Sequence, residues 1–150
     1  MTIRKQRVLF ICTHNSARSQ MAEGFLNADY GNRYEGFSAG IEPKSLNEYA
    51  IKAMREVGID ISSHTSKSIE RFRGMHFDYV VTVCDHAREV CPFFPGETIL
   101  HKSFEDPSGF RGTQSDILDH TRKVRDKIRD WIRDTFGKTD ARAQNEPLRL

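Results

Sequence analysis

The sequence predicts one α/β domain over residues 1–137, built on a central, mainly parallel four-stranded sheet flanked by helices, with residues 138–150 as a flexible tail. Three observations lead there. Residues 8–11 and 78–83 are short, nearly unbroken apolar runs of the kind that buried parallel strands show. Apolar residues between and after them recur at helical spacing. Strand and helix patterns alternate without internal repeats, which is the pattern of a parallel sheet covered by crossover helices.

The elements follow in chain order. After the strand at 8–11 comes a stretch of small and polar residues, 12–19. Met21, Ala22, Phe25 and Leu26 then mark a helix. Residues 34–38 suit a second strand, closed by Gly40. Ala50, Ile51, Met54 and Val57 mark a helix that starts near residues 45–47 and stops at Gly58. The run 78–83 leads directly into Cys84, and 98–100 suits a fourth strand. Ile117, Leu118, Val124, Ile128, Trp131 and Ile132 fall on one stripe of a last, long helix, with Thr113 and Asp116 as a capping box ahead of it. Residues 138–150 are polar, contain Pro147 and show no periodicity.

Composition limits the function classes. The 150 residues fit one domain, and the hydrophobic share of 37% is that of a globular chain. No apolar run approaches the roughly 20 residues of a membrane helix. The basic N-terminus is followed by an apolar stretch too short for a signal-peptide core, so the expected location is the cytoplasm. A net charge of +2, with opposite charges alternating along residues 122–133, describes a solvated helix face and not a nucleic-acid surface. No membrane or nucleic-acid partner is expected, and a monomer is. Three cysteines in a reducing compartment argue against a disulfide framework and leave core, metal-ligand or catalytic roles.

Position selects among those roles. Parallel sheets bind ligands at the carboxyl ends of their strands, and Cys12 and Cys84 both stand at such ends. Cys12-Thr-His-Asn-Ser-Ala-Arg18-Ser19 joins a strand to a helix. A loop of this kind turns backbone N–H groups inward beside a helix N-terminus, which suits a tetrahedral oxyanion and favours the thiolate of a cysteine placed there. Arg18 can hold two oxyanion oxygens through its planar fork. Ser19 is placed to donate a hydrogen bond to the sulfur. Asn15 and Ser16 are suited to tying the loop backbone in place. Thr13, His14, Asn15, Ser16 and Ala17, with Arg18, are the expected anion-binding positions, without a catalytic role for His14.

The stretch 8–26, together with Ser38-Ala-Gly-Ile41, Ala53-Met54, Gly58-Ile-Asp-Ile-Ser62 and Val80-Val-Thr-Val-Cys84, resembles the low-molecular-weight tyrosine phosphatase fold family. Within it the chain is most similar to the thioredoxin-coupled arsenate reductases, over about residues 7–136. The resemblance makes Asp106, in Asp106-Pro107, the proton donor for the departing oxygen. Pro107 restricts Asp106 to extended backbone, which steadies a loop carboxylate. The phosphatase branch follows Asp-Pro with aromatic residues, whereas Ser108 and Gly109 stand here.

Cys84 and Cys91 favour the reductase branch. Seven positions apart on a helix they would lie about 10 Å from one another, whereas a disulfide needs Cα atoms within about 7 Å. Pairing therefore requires the intervening segment to unwind or bend. The resemblance implies a relay. Cys12 attacks arsenate, Cys84 attacks Cys12 and expels arsenite, and Cys91 attacks Cys84. The resulting Cys84–Cys91 disulfide would be reduced by thioredoxin. The phosphatase reading, hydrolysis of phosphomonoesters by Cys12, Arg18 and Asp106, is the alternative, and weak phosphatase activity is expected beside reduction. Ala17 occupies a loop position where some relatives carry an additional cysteine.

A zinc site at Cys84, His86 and Cys91 lacks standard spacing. His64, His76, His101 and His120 are scattered and suit surface or hydrogen-bonding roles. Some reductases hold potassium behind the loop. Asn15, Glu23, Ser38 and Thr65 match those oxygen donors, but Lys67 stands in place of an acidic ligand, and its ammonium can replace the cation. No cofactor and no metal are expected.

Overall fold

The computed structural model describes residues 4–90 and 94–137. Cys91 and the tail at 138–150 lie outside the described residues. Strands β1 (Gln6–Cys12), β2 (Tyr34–Gly40), β3 (Tyr79–Thr82) and β4 (Thr98–His101) form one sheet in the order β2-β1-β3-β4, with every neighbouring pair parallel. The expected four-stranded parallel sheet is present, with strand ends within two residues of those read from the sequence.

Among the described residues, four α-helices accompany the sheet: α1 (Arg18–Tyr30), α2 (Glu48–Glu56), α3 (Asp85–Val90) and α4 (Gln114–Ile132). Short 3-10 turns at Ile69–Phe72 and Pro107–Gly109, and a π turn at Arg133–Gly137 that extends α4, have no periodic sequence signal.

The central strand explains the uniform apolarity of residues 8–11. β1 pairs on both edges, and Val8, Leu9, Phe10 and Ile11 are fully buried. α1 packs on β1, β2 and α4, and α2 packs on α4. Phe10, Tyr34, Tyr79 and Trp131 all meet the buried Phe136 edge-on, with centroids 5.1–6.2 Å apart, which fastens the end of α4 to the sheet. Local signals set the helix starts. Asn47 Oδ1 accepts from the amides of Tyr49 and Ala50 at the head of α2. Thr113 and Asp116 form the expected capping box on α4.

Candidate active site

The strand order places the site. The chain leaves β1 for β2 on one side, whereas β3 lies on the other, so a crevice opens at the carboxyl ends of β1 and β3. Cys12 is the last residue of β1, and Cys84 follows β3 by two residues. The chain beyond β4 brings Asp106 to the same end.

Residues 12–17 form a loop whose carbonyls are taken up from outside. The amides of Ile41, Glu42, Lys44 and Asn47 donate to the carbonyls of Cys12, Thr13, His14 and Ser16 at 2.7–3.2 Å. With those carbonyls committed outward, loop amides turn the other way, and the Asn15 amide points at Cys12 Sγ at 3.2 Å. Ala17 is the N-cap of α1 and supplies no side-chain cap, which leaves first-turn amides open to an anion. Gly40, paired with Cys12, is required by space. A Cβ there would sit 2.8–2.9 Å from Asn15 N, His14 C and Thr13 O.

Asn15 organises the loop. It adopts φ 51°, a region that asparagine tolerates better than most residues. Its Oδ1 accepts from the Lys67 amide at 2.8 Å and from Gln20 Nε2 at 3.0 Å. Its carbonyl accepts from Ser66 Oγ at 2.7 Å. Its Nδ2 donates to Ser19 Oγ at 2.7 Å, and Ser19 Oγ lies 2.8 Å from Cys12 Sγ. The amide nitrogen only donates, so the Ser19 oxygen accepts from it, and toward a Cys12 thiolate, which only accepts, the Ser19 hydroxyl is the donor. The Asn15 amide and the Ser19 hydroxyl thus both face the sulfur of Cys12, a residue 2% exposed. Gln20, Ser66 and the Lys67 amide are supports of the loop that sequence reading missed, because each reaches Asn15 through the tertiary fold and not through a local motif.

Arg18 is buried at the mouth. Its Nη1 donates to the Phe104 carbonyl at 3.3 Å, and its Nη2 lies 3.4 Å from Asp106 Oδ2. Asp106 has the extended backbone expected before proline, φ −82° and ψ 113°, and its Oδ1 accepts from the Ser108 amide. The expected pair of oxyanion clamp and proton donor is therefore brought together. Cys84 also arrives: its sulfur is buried, 3.4 Å from Thr13 Oγ1 and 3.4 Å from the Ala87 amide in the first turn of α3. His14 and Ser16 are half-exposed and share an open depression with Lys44, Asn47 and Ser108.

Three of the oxygens aligned with a potassium site already accept from protein donors, and the fourth, Ser38 Oγ, gives its proton to Glu23. Asn15 Oδ1 is engaged as above, Glu23 Oε1 accepts from Ser38 Oγ at 2.6 Å, and the Thr65 carbonyl accepts from Lys67 Nζ at 2.6 Å and from Gln20 Nε2. Burial pushes the Lys67 ammonium below the usual lysine range, against the pull of Glu23. This donor set does not fit a potassium ion. The four scattered histidines are hydrogen-bonded or in ring contact: His64 with Gln20, His76 with Glu97, His101 with Thr82 and Asp85, and His120 edge-on to Phe110. His76, Asp78 and Glu97 cluster at the opposite end of the sheet, where both Asp78 oxygens are engaged by Arg4 and the Arg7 amide.

Residues 7–139 match the family described as low molecular weight phosphotyrosine protein phosphatase. The chain belongs to that family. Among family members it is 43% identical to an arsenate reductase of Halalkalibacterium halodurans and 45% identical to one of Oceanobacillus iheyensis, each over 136 residues, 90% of this chain and 97% of the relative. A solved arsenate reductase in the oxidized state superposes with a TM-score of 0.76 at 32% identity, covering 89% of this chain and 98% of the other. A low molecular weight protein tyrosine phosphatase from T. tengcongensis superposes with 0.73 at 30% identity, covering 89% and 99%. A thioredoxin-dependent arsenate reductase of Corynebacterium glutamicum gives 0.62 at 29% identity, covering 89% of this chain and 63% of that one.

Proposed function

We propose that this family member is an arsenate reductase working in the cytoplasm as a monomer, with thioredoxin as its reductant and arsenic detoxification as its role. The single observation that carries the reading is the Cys84 sulfur, buried 3.4 Å from Thr13 Oγ1, beside the nucleophile's own loop. Phosphomonoester hydrolysis needs Cys12, Arg18 and Asp106 and has no use for a second thiol at that place. The relatives named arsenate reductases at 43–45% identity support the same choice.

On this reading the reaction proceeds as follows. Arsenate enters the loop, where inward amides and the Arg18 fork take its charge, and Arg18 exchanges the Phe104 carbonyl and Asp106 for substrate oxygens. Cys12 thiolate, freed as Ser19 and the Asn15 amide stabilise its charge, forms a sulfur–arsenic bond. A hydroxyl departs as water with the proton of Asp106. Cys84 thiolate then attacks Cys12 Sγ. The sulfur–arsenic bond breaks with its electron pair staying on arsenic, which leaves as arsenite, and a Cys12–Cys84 disulfide remains. Cys91 thiolate attacks Cys84, Cys12 departs as thiolate, and the dithiol of thioredoxin reduces the Cys84–Cys91 disulfide by two electrons.

The deciding assay couples the protein to thioredoxin, thioredoxin reductase and NADPH. Arsenate should drive sustained NADPH consumption, and Cys91→Ser should limit the protein to one turnover while aryl phosphate cleavage survives. Brisk aryl phosphate hydrolysis with no arsenate-dependent NADPH loss would replace this reading with the phosphatase one.

A further inference from the structure

His101 joins the two strand ends that flank the relay helix. Thr82 and His101 are register partners across the parallel β3–β4 pair, so their side chains share a face. His101 Nδ1 lies 2.7 Å from Thr82 Oγ1, and His101 Nε2 lies 3.1 Å from Oδ1 of Asp85. Asp85 is the first residue of α3 and directly follows Cys84. An ionised carboxylate only accepts, so Nε2 donates to Asp85, and in the neutral ring Nδ1 accepts from the Thr82 hydroxyl. Each polar atom of the ring is matched by one neighbour, which fixes its tautomer.

We propose that His101, oriented by Thr82, clasps Asp85 and so holds α3 in its helical, reduced-state position, making His101 a positioning residue for Cys84. The clasp lies where the helix must give way. The Cys84 carbonyl accepts from the Arg88 amide, and its sulfur meets the Ala87 amide, so Cys84 is built into the first turn of α3. Residues 85–90 are helical, which sets the Cα atoms of positions 84 and 90 about 9 Å apart, and a disulfide needs Cα atoms within about 7 Å, so on this proposal α3 loosens when Cys84 pairs with Cys91. A contact present only in the helical arrangement stabilises the dithiol over the disulfide. The same strand continues into the chain carrying Asp106, and the amides of Lys102 and Phe104 donate to the carbonyls of Thr82 and Val83. Backbone pairing thus fixes the chain up to residue 83, and His101 extends the grip across Cys84.

This proposal rests on the Cys84–Cys91 pairing put forward above, and the test separates the two. In full-length protein carrying Cys12→Ser, only Cys84 and Cys91 remain as thiols. Their disulfide is equilibrated with reduced and oxidised dithiothreitol and quantified by thiol counting, which conserves two electrons and two protons on each side. His101→Phe should shift the equilibrium three- to ten-fold toward the disulfide, a change of about 15–30 mV to more negative potential. Asp85→Ala should do the same, the double variant should shift no further, and Asp85→Asn, which still accepts, should stay near the parent. Thr82→Val should give a smaller shift in the same direction.

With Cys12 intact, aryl phosphate hydrolysis by His101→Phe should remain within two-fold of the parent, which also reports a preserved fold. An unchanged equilibrium in His101→Phe would overturn the clasp, as would additive shifts in the double variant. If His101→Phe does not fold, the Asp85 pair and Thr82→Val test the clasp in its place, and unchanged equilibria in Asp85→Ala and Thr82→Val overturn it. Absence of any disulfide in the parent Cys12→Ser protein would overturn the relay and the clasp together, whereas a disulfide that ignores all four substitutions overturns the clasp alone.

Discussion

At Cys12 the chemistry depends on how few atoms surround the sulfur and what each can donate. The Asn15 amide points at it, the Ser19 hydroxyl lies against it and donates to it in the thiolate form, and Asn15 Nδ2 holds the Ser19 oxygen in place. Ser19→Ala removes one hydrogen bond to a charged group and strips Asn15 Nδ2 of its acceptor. Such a bond is worth about 1.5–3 kcal/mol, so kcat/KM for aryl phosphate should fall roughly 10- to 100-fold, since each 1.36 kcal/mol is tenfold in rate. Unchanged kcat/KM in stopped-time assays of that variant would mean the hydroxyl does not serve the thiolate. The shared placement of Cys12, Arg18 and Ser19 was legible in the sequence because the loop joins a strand run to a helical pattern. Gln20 and Ser66 were not legible. They act on the Asn15 carbonyl or side chain from positions five and 51 residues away, and no spacing rule reaches that far.

Elements place these residues, and the closest fit among them is between β2 and the loop. Residues 41–47 lace along the loop's carbonyls, and Gly40 lets the two backbones meet. Gly40→Ala would press a methyl against backbone atoms at 2.8–2.9 Å, which cannot rotate away as a side-chain end can. Overpacking of this kind costs about 1–3 kcal/mol. A lower Tm is expected, with weakened inhibition of activity by phosphate because the amides lose their common focus. A variant with parental Tm and phosphate inhibition would show that the loop has slack. The sequence marked Gly40 only as a strand stop. It showed the strand and helix types because their periodicity is local, and it could not show the order β2-β1-β3-β4, since pairing is decided by long-range contacts. The 3-10 turn at Pro107–Gly109 was likewise signalled only by its proline, although Asp106 caps it as the extended backbone before proline allows.

Across the whole molecule, α4 is tied to the other helices by charge as well as by its apolar stripe. Arg122 and Arg125 both reach Glu56 at the end of α2, and Arg125, largely buried, also donates to the Ala53 carbonyl. Arg129 pairs with Asp29 of α1. The Arg122 hydrogen bonds, opposed by burial and reinforced by Arg125, lower the Glu56 carboxyl from an ordinary 4.5 to about 2. A depressed carboxyl stabilises the fold fully above its unfolded value and loses that contribution as pH falls through the folded one. Unfolding takes up a proton between pH 4.5 and about 2, so stability should hold from neutral pH to about 5 and decline below 4.5. Asp78 adds to the same acid limb: burial opposes its ionisation, but the Arg7 amide and Arg4 outweigh it and hold its carboxyl below the usual range. Glu56→Gln isolates the first contribution. In urea melts the variant should be less stable at pH 7 by about 1 kcal/mol, the upper end for exposed ion pairs. That gap should persist at pH 5 and narrow by pH 3, because below pH 4.5 the parent's unfolded chain takes up a proton that its folded state does not, which favours unfolding. A gap of the same size at pH 7 and pH 3 would assign the loss to packing between α2 and α4 and not to the Glu56 charge.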